Sequence, residues 1–306
     1  MISVIVNCHN CLKYLDESID SILRQTYQDW ELIFWDNAST EDLQNYFSGI
    51  DDKRIKYYRG DKFLPLGMAR NKAIEKANGE YIAFLDADDY WQPEKLELQI
   101  DAFNSEKDVG LVYSDAAIVH NGKKIKTFFE NAEPPEGYVF DRLLSSYFLV
   151  MSSVMIRKQA IDELETWFNP NYEIIEEYDL FLRISTKWKL KCANQQLAIW
   201  RWHGESTTMK KRCLISVEKR KLLKQLKSEY PDLMSKYKSA VDVVRGKILI
   251  SRALTEYYSH RSKKARKLLR LSKIKTAKGV FVYFATFFPS SLIDILYRKI
   301  KGNPLV

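Results

Sequence analysis

Residues 81–91 read Tyr-Ile-Ala-Phe-Leu-Asp-Ala-Asp-Asp-Tyr-Trp, an apolar run that ends in three aspartates within four positions. The run has the length and composition of a buried β-strand. A single aspartate in the turn after a strand commonly caps the next helix, and Asp89 could do no more than that. Three neighbouring carboxylates repel one another, however, so the cluster favours a site for a cation.

Short apolar strands alternate with amphipathic helices on both sides of this run. Strands are predicted at residues 2–6, 31–36, 55–58, 81–85, 109–113, 152–156 and 197–202, with an Asn121-Gly122 hairpin turn. The main helices are predicted around residues 15–23, from Pro93, and at residues 67–78 and 177–187. This order predicts an α/β fold, a Rossmann-like, mostly parallel sheet with flanking helices, followed by a helical, basic C-terminal region. Ligands bind beyond the carboxyl ends of strands in such sheets, which is where Asp86 lies.

The composition indicates a folded, mildly acidic body with a strongly basic tail. Hydrophobic residues make up 46% of the 306 residues, which excludes a disordered chain. Residues 210–306 carry 25 Lys and Arg against 6 Asp and Glu, whereas residues 1–209 have a net charge of −11. We find neither a signal peptide nor an apolar run that would span a bilayer. Four scattered cysteines do not resemble a disulfide framework, so we expect a reducing, cytoplasmic location.

The side chains of the aspartate cluster indicate which ion it would hold. Oxygen ligands without a His/Cys cluster favour a hard ion, Mg²⁺ or Mn²⁺, rather than zinc. Such ions are usually bound by one or two carboxylates, and substrate phosphates fill other positions. The expected cation is therefore a metal ion that carries a diphosphate.

Five ordered motifs resemble a known family. They read VIVNCHN (4–10), ELIFWDNAST (31–40), LGMARNKAIEKANGEYIAFLDADDYWQPEKL (66–96), IIEEYDLFLRIS (174–185) and LAIWRWHGEST (197–207). Together they resemble the family 2 inverting glycosyltransferases of bacterial surface-glycan synthesis. The resemblance implies a glycosyltransferase A-type fold, a nucleotide-sugar donor and a divalent cation, Mn²⁺ or Mg²⁺. It further implies a catalytic domain over residues 1–209, with a nucleotide-sugar half (1–104) and an acceptor half (105–209). The charge asymmetry adds a helical, basic, membrane-associating tail over residues 210–306.

The resemblance assigns the donor site residue by residue. Asp86-Ala87-Asp88 matches the Asp-x-Asp motif, with Asp88 as the main metal ligand and Asp86 beside the ribose or the metal. The remaining donor-side residues are implied to line the nucleotide pocket: Asn7, Cys8, His9, Asp36, Asn37 and Arg70. Relatives commonly have a second acid where this chain has Asn37, whose amide oxygen can still accept the N3–H of uracil. Arg70 would face the nucleotide or its phosphates, or else be a solvated helix arginine.

The resemblance places the acceptor chemistry at Glu176-Glu177. Glu177 matches the catalytic base, where aspartate is commoner, and Glu176 lies beside it; alternatively, these acids only favour a helix N-terminus. His203 would complete the metal shell or contact the diphosphate, with a hydrogen-bonded structural histidine as the alternative. Gln196 lies five positions before Arg201, which does not match the Gln-x-x-Arg-Trp pattern of processive polymerases. We therefore expect addition of a single sugar.

Other functions were weighed against this one. Cys8-x-x-Cys11 is typical of redox or zinc sites, but the absence of a second cysteine pair argues against both. A sugar nucleotidyltransferase would want a Gly-rich, Arg-containing loop after the first strand, which VNCHNCLKYL does not offer. A non-catalytic membrane- or nucleic-acid-binding protein on the same scaffold would be expected to lack the acids at positions 86, 88 and 177.

The basic tail predicts a partner of its own. Arg261-Ser-Lys-Lys-Ala-Arg-Lys267 precedes the aromatic run of residues 280–288 and Pro289, which is too short to span a bilayer. Aromatic residues flanked by cations are typical of the surface of an anionic membrane, and without a nucleic-acid motif we consider nucleic acid an unlikely partner. Packing within a helical subdomain or a dimer is the alternative, and the oligomeric state is not determined. Membrane attachment would bring the enzyme to a lipid-linked saccharide acceptor.

Overall fold

A computed structural model describes residues 1–130, 132–203, 211, 214–272 and 277–288. The chain forms two compact units, Met1–Lys210 and Lys211–Val306. The division of the first unit into donor and acceptor halves stays a prediction.

A nine-stranded sheet forms the centre of the first unit. Its strands are β1 (Ile2–Cys8), β2 (Trp30–Asp36), β3 (Ile55–Arg59), β4 (Tyr81–Asp86), β5 (Tyr90–Trp91), β6 (Val109–His120), β7 (Lys123–Thr127), β8 (Met155–Arg157) and β9 (Lys189–Arg201). They lie in the order β3-β2-β1-β4-β8-β6-β9-β5, and β7 pairs with β6. The first four strands in this order are parallel, whereas β8 is antiparallel to both of its neighbours. The sheet is thus parallel from β3 to β4 and mixed beyond β4.

Helices flank this sheet, as the alternating pattern predicts. They are α1 (Leu12–Leu23), α2 (Leu43–Ser48), α3 (Leu66–Ile74), α4 (Lys95–Asn104), α5 (Phe140–Ser145), α6 (Lys158–Asp162) and α7 (Glu176–Ser185). In α1, Leu15, Ile19 and Ile22 are buried at spacings of three and four, so one apolar face packs on the core. Strands β1, β2 and β4 are apolar and almost wholly buried, as expected of parallel strands covered on both faces.

The hairpin and the segment before β8 differ in how well the sequence predicted them. Asn121 and Gly122 both have positive φ (49° and 73°), which confirms the Asn-Gly turn between β6 and β7. The strand predicted at 152–156 is instead a 3₁₀ turn, Met151–Ser153, followed by the short β8. The difference has a physical reason, because the turn buries Ser152 and Ser153 and gives their hydroxyls hydrogen-bond partners.

The structure corrects the interpretation of the cysteines. Cys8 and Cys11 form a disulfide, with their Cα atoms 5.9 Å apart, whereas Cys192 is buried and free. Asn10 has a φ of 60°, and this left-handed residue turns the chain so that cysteines three positions apart come into bonding range. A count of scattered cysteines did not reveal this local pair.

The second unit is helical in its described residues, as predicted. Its helices are α8 (Leu214–Glu229), α9 (Pro231–Lys236), α10 (Lys238–Tyr258), α11 (Ser262–Leu271) and α12 (Ala277–Ala285). A small core joins α10, α11 and α12 through Leu254, Tyr257, Leu269 and Val282. Within the ranges that the structure describes, no helix combines the length and apolarity needed to cross a membrane. Pro289 and the rest of the tail lie outside the described residues.

Candidate active site

Three parallel strands end side by side at one edge of the sheet. In the register of β1 with its neighbours, Asn7 pairs with Asp86 of β4 and Cys8 pairs with Asp36 of β2. Because parallel strands have their carboxyl ends at the same edge, the predicted donor-side residues of these strands lie together. The loops that follow the three strands therefore begin at this edge.

Asp36 is fully buried and has three hydrogen-bond donors around its carboxylate. The backbone N–H of Ser39 donates to Oδ1 at 2.7 Å, and the hydroxyl of Tyr57 and the guanidinium of Arg59 donate to Oδ2 at 2.7 and 2.9 Å. These donors satisfy the carboxylate within the protein. Asp36 therefore shapes the loop after β2, and its direct contact with a nucleotide stays a prediction.

The loops after β1 and β2 are tied together. His9 Nδ1 lies 3.1 Å from the carbonyl oxygen of Asn37, and Asn10 Oδ1 accepts the N–H of Thr40 at 2.9 Å. The amide of Asn37 is held by the backbone of Leu64, since Nδ2 donates at 2.8 Å and Oδ1 accepts at 3.0 Å. In this part of the described chain, the buried Nδ2 of Asn7 has no hydrogen-bond partner. Within the predicted pocket, the side-chain amide of Asn7 thus offers an N–H donor that a ligand could use.

The Asp-x-Asp turn is held from both sides. Oδ2 of Asp88 lies 2.8 Å from Nε2 of His203, and the carbonyl of Asp88 accepts a hydrogen bond from Nε of Arg201 at 2.8 Å. The N–H of Asp86 donates to the hydroxyl of Ser152 at 3.1 Å. Ala87 is buried between the two aspartates. The two aspartates therefore keep partly exposed carboxylates on a fixed turn.

Asp89 plays a different part from the helix cap that its position predicted. It is 1% exposed and accepts the hydroxyl of Ser152 at 2.5 Å and the N–H of Arg201 at 2.8 Å. These bonds join the turn after β4 to the 3₁₀ turn and to the end of β9. Asp89 is therefore a structural carboxylate that holds the other two aspartates in place.

Arg70 is the cation at the centre of the edge. It is 3% exposed, and its guanidinium donates to Oδ1 of Asp86 at 2.9 Å and to Oε1 of Glu176 at 3.1 Å. It also lies 3.7 Å from Oε2 of Glu177. The alternative of a solvated helix arginine is wrong, because Arg70 is buried among three carboxylates. Its contact with a nucleotide phosphate stays a prediction.

Glu176 and Glu177 occupy the first turn of α7 and face Arg70. Burial raises the pKa of Glu176 to about 8, against the opposing charge of Arg70. Its Oε2 has no partner among the residues that the structure describes. Burial also raises the pKa of Glu177, while Arg70 and a 2.6 Å hydrogen bond from the hydroxyl of Tyr147 hold it lower. Glu177 is therefore a carboxylate with a perturbed pKa at the strand-end edge, as a general base would be.

Two contacts hold α3 against the segment before α7 and against α7 itself, so that this cluster can form. The side-chain amide of Asn71 donates to the carbonyl of Phe168 at 2.8 Å and accepts its N–H at 2.9 Å. Gly67 lies so close to α7 that a Cβ there would be 3.1 Å from Cγ of Glu176. The close approach therefore favours glycine at residue 67, because any larger residue would crowd Glu176.

The residues present fit a divalent cation as a partial shell. Asp88 and His203 offer an oxygen and a nitrogen donor at one place, and Asp86 lies two residues away with one carboxylate oxygen engaged by Arg70. No group of three or more His, Cys, Asp and Glu side chains arranged for a metal occurs among the described residues. A site of this kind suits Mg²⁺ or Mn²⁺, which take further ligands from phosphates and water.

The sequence placed most of these residues but missed four that position them. Tyr147 holds Glu177, Ser152 holds Asp86 and Arg201 holds Asp88. Asn71 ties α3 to the backbone of Phe168, in the segment before α7. Arg201 and Asn71 lie within the quoted motifs. The motifs mark these two residues but do not indicate what their side chains bind. Tyr147 and Ser152 lie in a segment that matches none of the motifs, so the sequence carried no signal for them.

Comparisons with known proteins identify the family of the chain. Residues 3–165 match the family described as Glycosyl transferase family 2. The UDP-Glc:alpha-D-GlcNAc-diphosphoundecaprenol beta-1,3-glucosyltransferase WfaP of Escherichia coli is 30% identical over 69% of this chain and 81% of its own length. The chain spans from 29% to 81% of the length of several curated relatives.

Two solved structures share the fold. TarS 1–349 of S. aureus, crystallised with UDP-GlcNAc, has a TM-score of 0.59 at 17% identity and covers 93% of this chain and 90% of its own. The mannosyltransferase PcManGT of Pyrobaculum calidifontis, in complex with GDP-Man and Mn²⁺, has a TM-score of 0.61 at 13% identity and covers 99% and 87%. These likenesses confirm the glycosyltransferase A-type fold. The chain belongs to glycosyl transferase family 2 and is an enzyme of glycosyl transfer.

Proposed function

We propose that the enzyme is an inverting, metal-dependent transferase that moves one sugar from a nucleotide sugar, a UDP-sugar, to a saccharide acceptor. The observation that carries the proposal is the cluster around Arg70. One guanidinium contacts Asp86, at the end of a donor-side strand, and Glu176 and Glu177, at the start of α7. The group beside the leaving diphosphate and the group that receives the acceptor's proton would therefore share one site.

The chain's own residues supply the proton chemistry. In an inverting transfer, the acceptor hydroxyl attacks the anomeric carbon as the bond to the diphosphate breaks on the opposite face. Glu177 would take the hydroxyl proton, because it is partly exposed and has a raised pKa. Tyr147 and Arg70 would keep its carboxylate ionised and oriented for this purpose.

Asp88, His203 and Asp86 would hold the cation. A bound Mn²⁺ or Mg²⁺ would neutralise charge that develops on the leaving diphosphate. Support comes from the donor set itself and from PcManGT, whose structure contains GDP-Man and Mn²⁺. The preference for UDP rests on TarS, which was crystallised with UDP-GlcNAc, and on the UDP-Glc in the name of WfaP.

We further infer a lipid-linked acceptor used in the synthesis of a surface polysaccharide, lipopolysaccharide or other glycan. WfaP, by its name, acts on a sugar diphosphoundecaprenol. An enzyme with such an acceptor would work at the cytoplasmic face of the membrane as a peripheral protein. The basic C-terminal region, with its excess of lysine and arginine, supports this location.

The test separates transfer from donor binding. A panel of UDP-, dTDP- and GDP-sugars with Mn²⁺ or Mg²⁺ is first screened for release of the nucleoside diphosphate with an acceptor present. Glu177→Gln should then lower turnover by about a hundredfold or more, while calorimetry finds the donor affinity of the wild type. Glu165→Gln, which changes an exposed carboxylate of the same half, serves as the control and should be fully active. Near wild-type turnover of Glu177→Gln would refute the assignment of the base.

A further inference from the structure

Four basic side chains line one surface cavity of the second unit. Lys263, Arg266, Lys267 and Arg270 of α11 border, together with Leu271, a cavity of about 410 Å³. Their spacing of three, one and three residues places them on one face of the helix. No acidic side chain belongs to this lining in the described part of the chain. The cavity is therefore a concentrated patch of positive charge.

Two other cations of the same region face a carboxylate instead of the cavity, which sets the four lining residues apart. Lys264 and Arg261 form ion pairs with Glu256 of α10, at 2.8 and 2.6 Å. Lys264 lies between the lining residues in sequence yet points to a carboxylate of a neighbouring helix. The net charge of α11 is thus directed toward the cavity rather than spread around the helix.

The two arginines of the patch are fixed onto the neighbouring segment. Arg266 donates to the carbonyl of Thr286 at 2.8 Å, and its guanidinium lies 4.7 Å from the ring centre of Phe287. Arg270 donates to the hydroxyl of Tyr283 at 3.1 Å. These contacts join the basic face of α11 to the aromatic segment 280–288, so that cations and aromatic rings form one continuous surface.

That aromatic segment exposes an unusual amount of apolar side chain. Phe284, Phe287 and Phe288 are 62%, 58% and 53% exposed, and Val280 and Phe281 are exposed as well. Exposure of large apolar side chains to water is unfavourable. When cations lie beside them, such side chains are stabilised at the boundary between lipid headgroups and acyl chains. Leu271, on the rim of the cavity, is also exposed. We call the lining residues of the cavity and residues 280–288 the α11–α12 surface.

We propose that the α11–α12 surface docks on an anionic phospholipid bilayer, with the four cations at the phosphate headgroups and the phenylalanines at the acyl boundary. The proposal builds on the membrane location in the proposed function and assigns it to particular residues. A nucleic acid would use the cations and could stack on the rings, but Leu271 and Val280 would remain in water. A bilayer accommodates both kinds of side chain.

The experiment measures binding of the full chain to phosphatidylcholine vesicles with and without phosphatidylglycerol. Lys263→Glu/Lys267→Glu should weaken binding to the anionic vesicles at least about tenfold. Lys221→Glu/Lys224→Glu, on exposed positions of α8, changes the net charge equally and is the matched control, expected to lose far less. Phe284→Ser/Phe287→Ser should also weaken binding, without the sensitivity to salt that the lysines confer. Circular dichroism verifies that each variant is folded.

Several results would overturn the proposal. Equal losses from the two lysine pairs would mean that net charge acts without a specific surface. The bilayer would be excluded as the partner if the wild type bound vesicles equally well with and without phosphatidylglycerol. It would also be excluded if the wild type bound a single-stranded RNA oligonucleotide more tightly than vesicles. Transfer to a water-soluble acceptor is measured in parallel, so failure of the docking surface and failure of the proposed function give different results.

Discussion

Two carboxylate clusters at the same edge of the sheet are balanced in different ways. After β2, Asp36 is paired with Arg59 and receives two further hydrogen bonds from Tyr57 and a backbone amide. Around Arg70, a single guanidinium faces three carboxylates, those of Asp86, Glu176 and Glu177. The first cluster has as many cations as acids, and the second has an excess of negative charge.

The difference shows how carboxylates at one edge of the sheet acquire different environments. A carboxylate whose donors are all supplied by the protein stabilises a loop and has little left for a ligand. A carboxylate in an acid-rich cluster has a raised pKa and gains from a cation or a proton. The pKa values of Glu176 and Glu177 are accordingly raised, with burial as the main cause. Position beyond a strand is thus not sufficient to identify a functional acid.

Arg70→Met should produce the largest effect, because it leaves the acid-rich cluster without its cation. Removing one partner from a buried ion pair costs about 3 to 5 kcal/mol of folding free energy. Arg70 lowers the pKa of all three acids, so without it they take up protons more readily. The deficit in unfolding free energy, measured by urea titration, should therefore shrink as the pH falls. Lys72→Met, at an exposed position of the same helix, is the control, and equal losses would contradict the central role of Arg70.

Asp88→Ala should change the response of nucleotide binding to metal. In the wild type, we expect Mn²⁺ to strengthen the binding of UDP relative to a chelator. In the variant, UDP affinity measured by calorimetry with Mn²⁺ should fall by about ten- to a hundredfold, to the chelator value. Asp89→Asn tests the neighbouring structural carboxylate, which should affect thermal stability first. An unchanged metal effect in Asp88→Ala would remove this residue from the metal site.

Tyr147→Phe should displace the acid limb of the pH–rate profile upward by about one pH unit. The hydroxyl of Tyr147 donates to the ionised form of Glu177, so its loss raises the pKa of this proposed base. Arg70 continues to oppose that rise, whereas Glu176 and Asp86 add negative charge nearby. Activity should be lower than that of the wild type at pH values below the midpoint of the acid limb, and it should return to the wild-type value at alkaline pH.

Tyr138→Phe, at a position 60% exposed, is the control for this change and should leave the profile unaltered. Loss of activity by the same factor at every pH would mean that Tyr147 supports the structure rather than the ionisation of Glu177.

Arg59→Met should have the smallest effect and tests the balanced cluster. Arg59 is 46% exposed, so water can replace part of its interaction with Asp36, which keeps its bonds from Tyr57 and Ser39. The urea midpoint of Arg59→Met should shift much less than that of Arg70→Met. A shift as large as that of Arg70→Met would remove the contrast between the two clusters.

The sequence predicted the strand-end residues because their signal is local. The apolar run of β4 places Asp86 and Asp88 at the edge of the sheet without knowledge of any distant contact. The destination of Arg70 depends on Glu176, which is 106 positions away, so periodicity could place it on a helix but not beside its partners. Tyr147 was beyond prediction for the same reason, as was the hydroxyl of Ser152 beneath the aspartate turn. The Cys8–Cys11 disulfide was missed because a count of four scattered cysteines does not show that the left-handed Asn10 brings two of them together.

The two hydrogen bonds between Asn71 and Phe168 have a consequence for chimeras made from two such enzymes. The amide of Asn71 binds the backbone N–H and carbonyl of Phe168, which every amino acid except proline provides, so the side chain at 168 can vary without loss of this contact. A chimera that joins the first 104 residues of one relative to the remainder of another would keep the contact wherever the donor of the first segment retains this asparagine. The arginine before it and the glutamates that it binds would have to be inherited together.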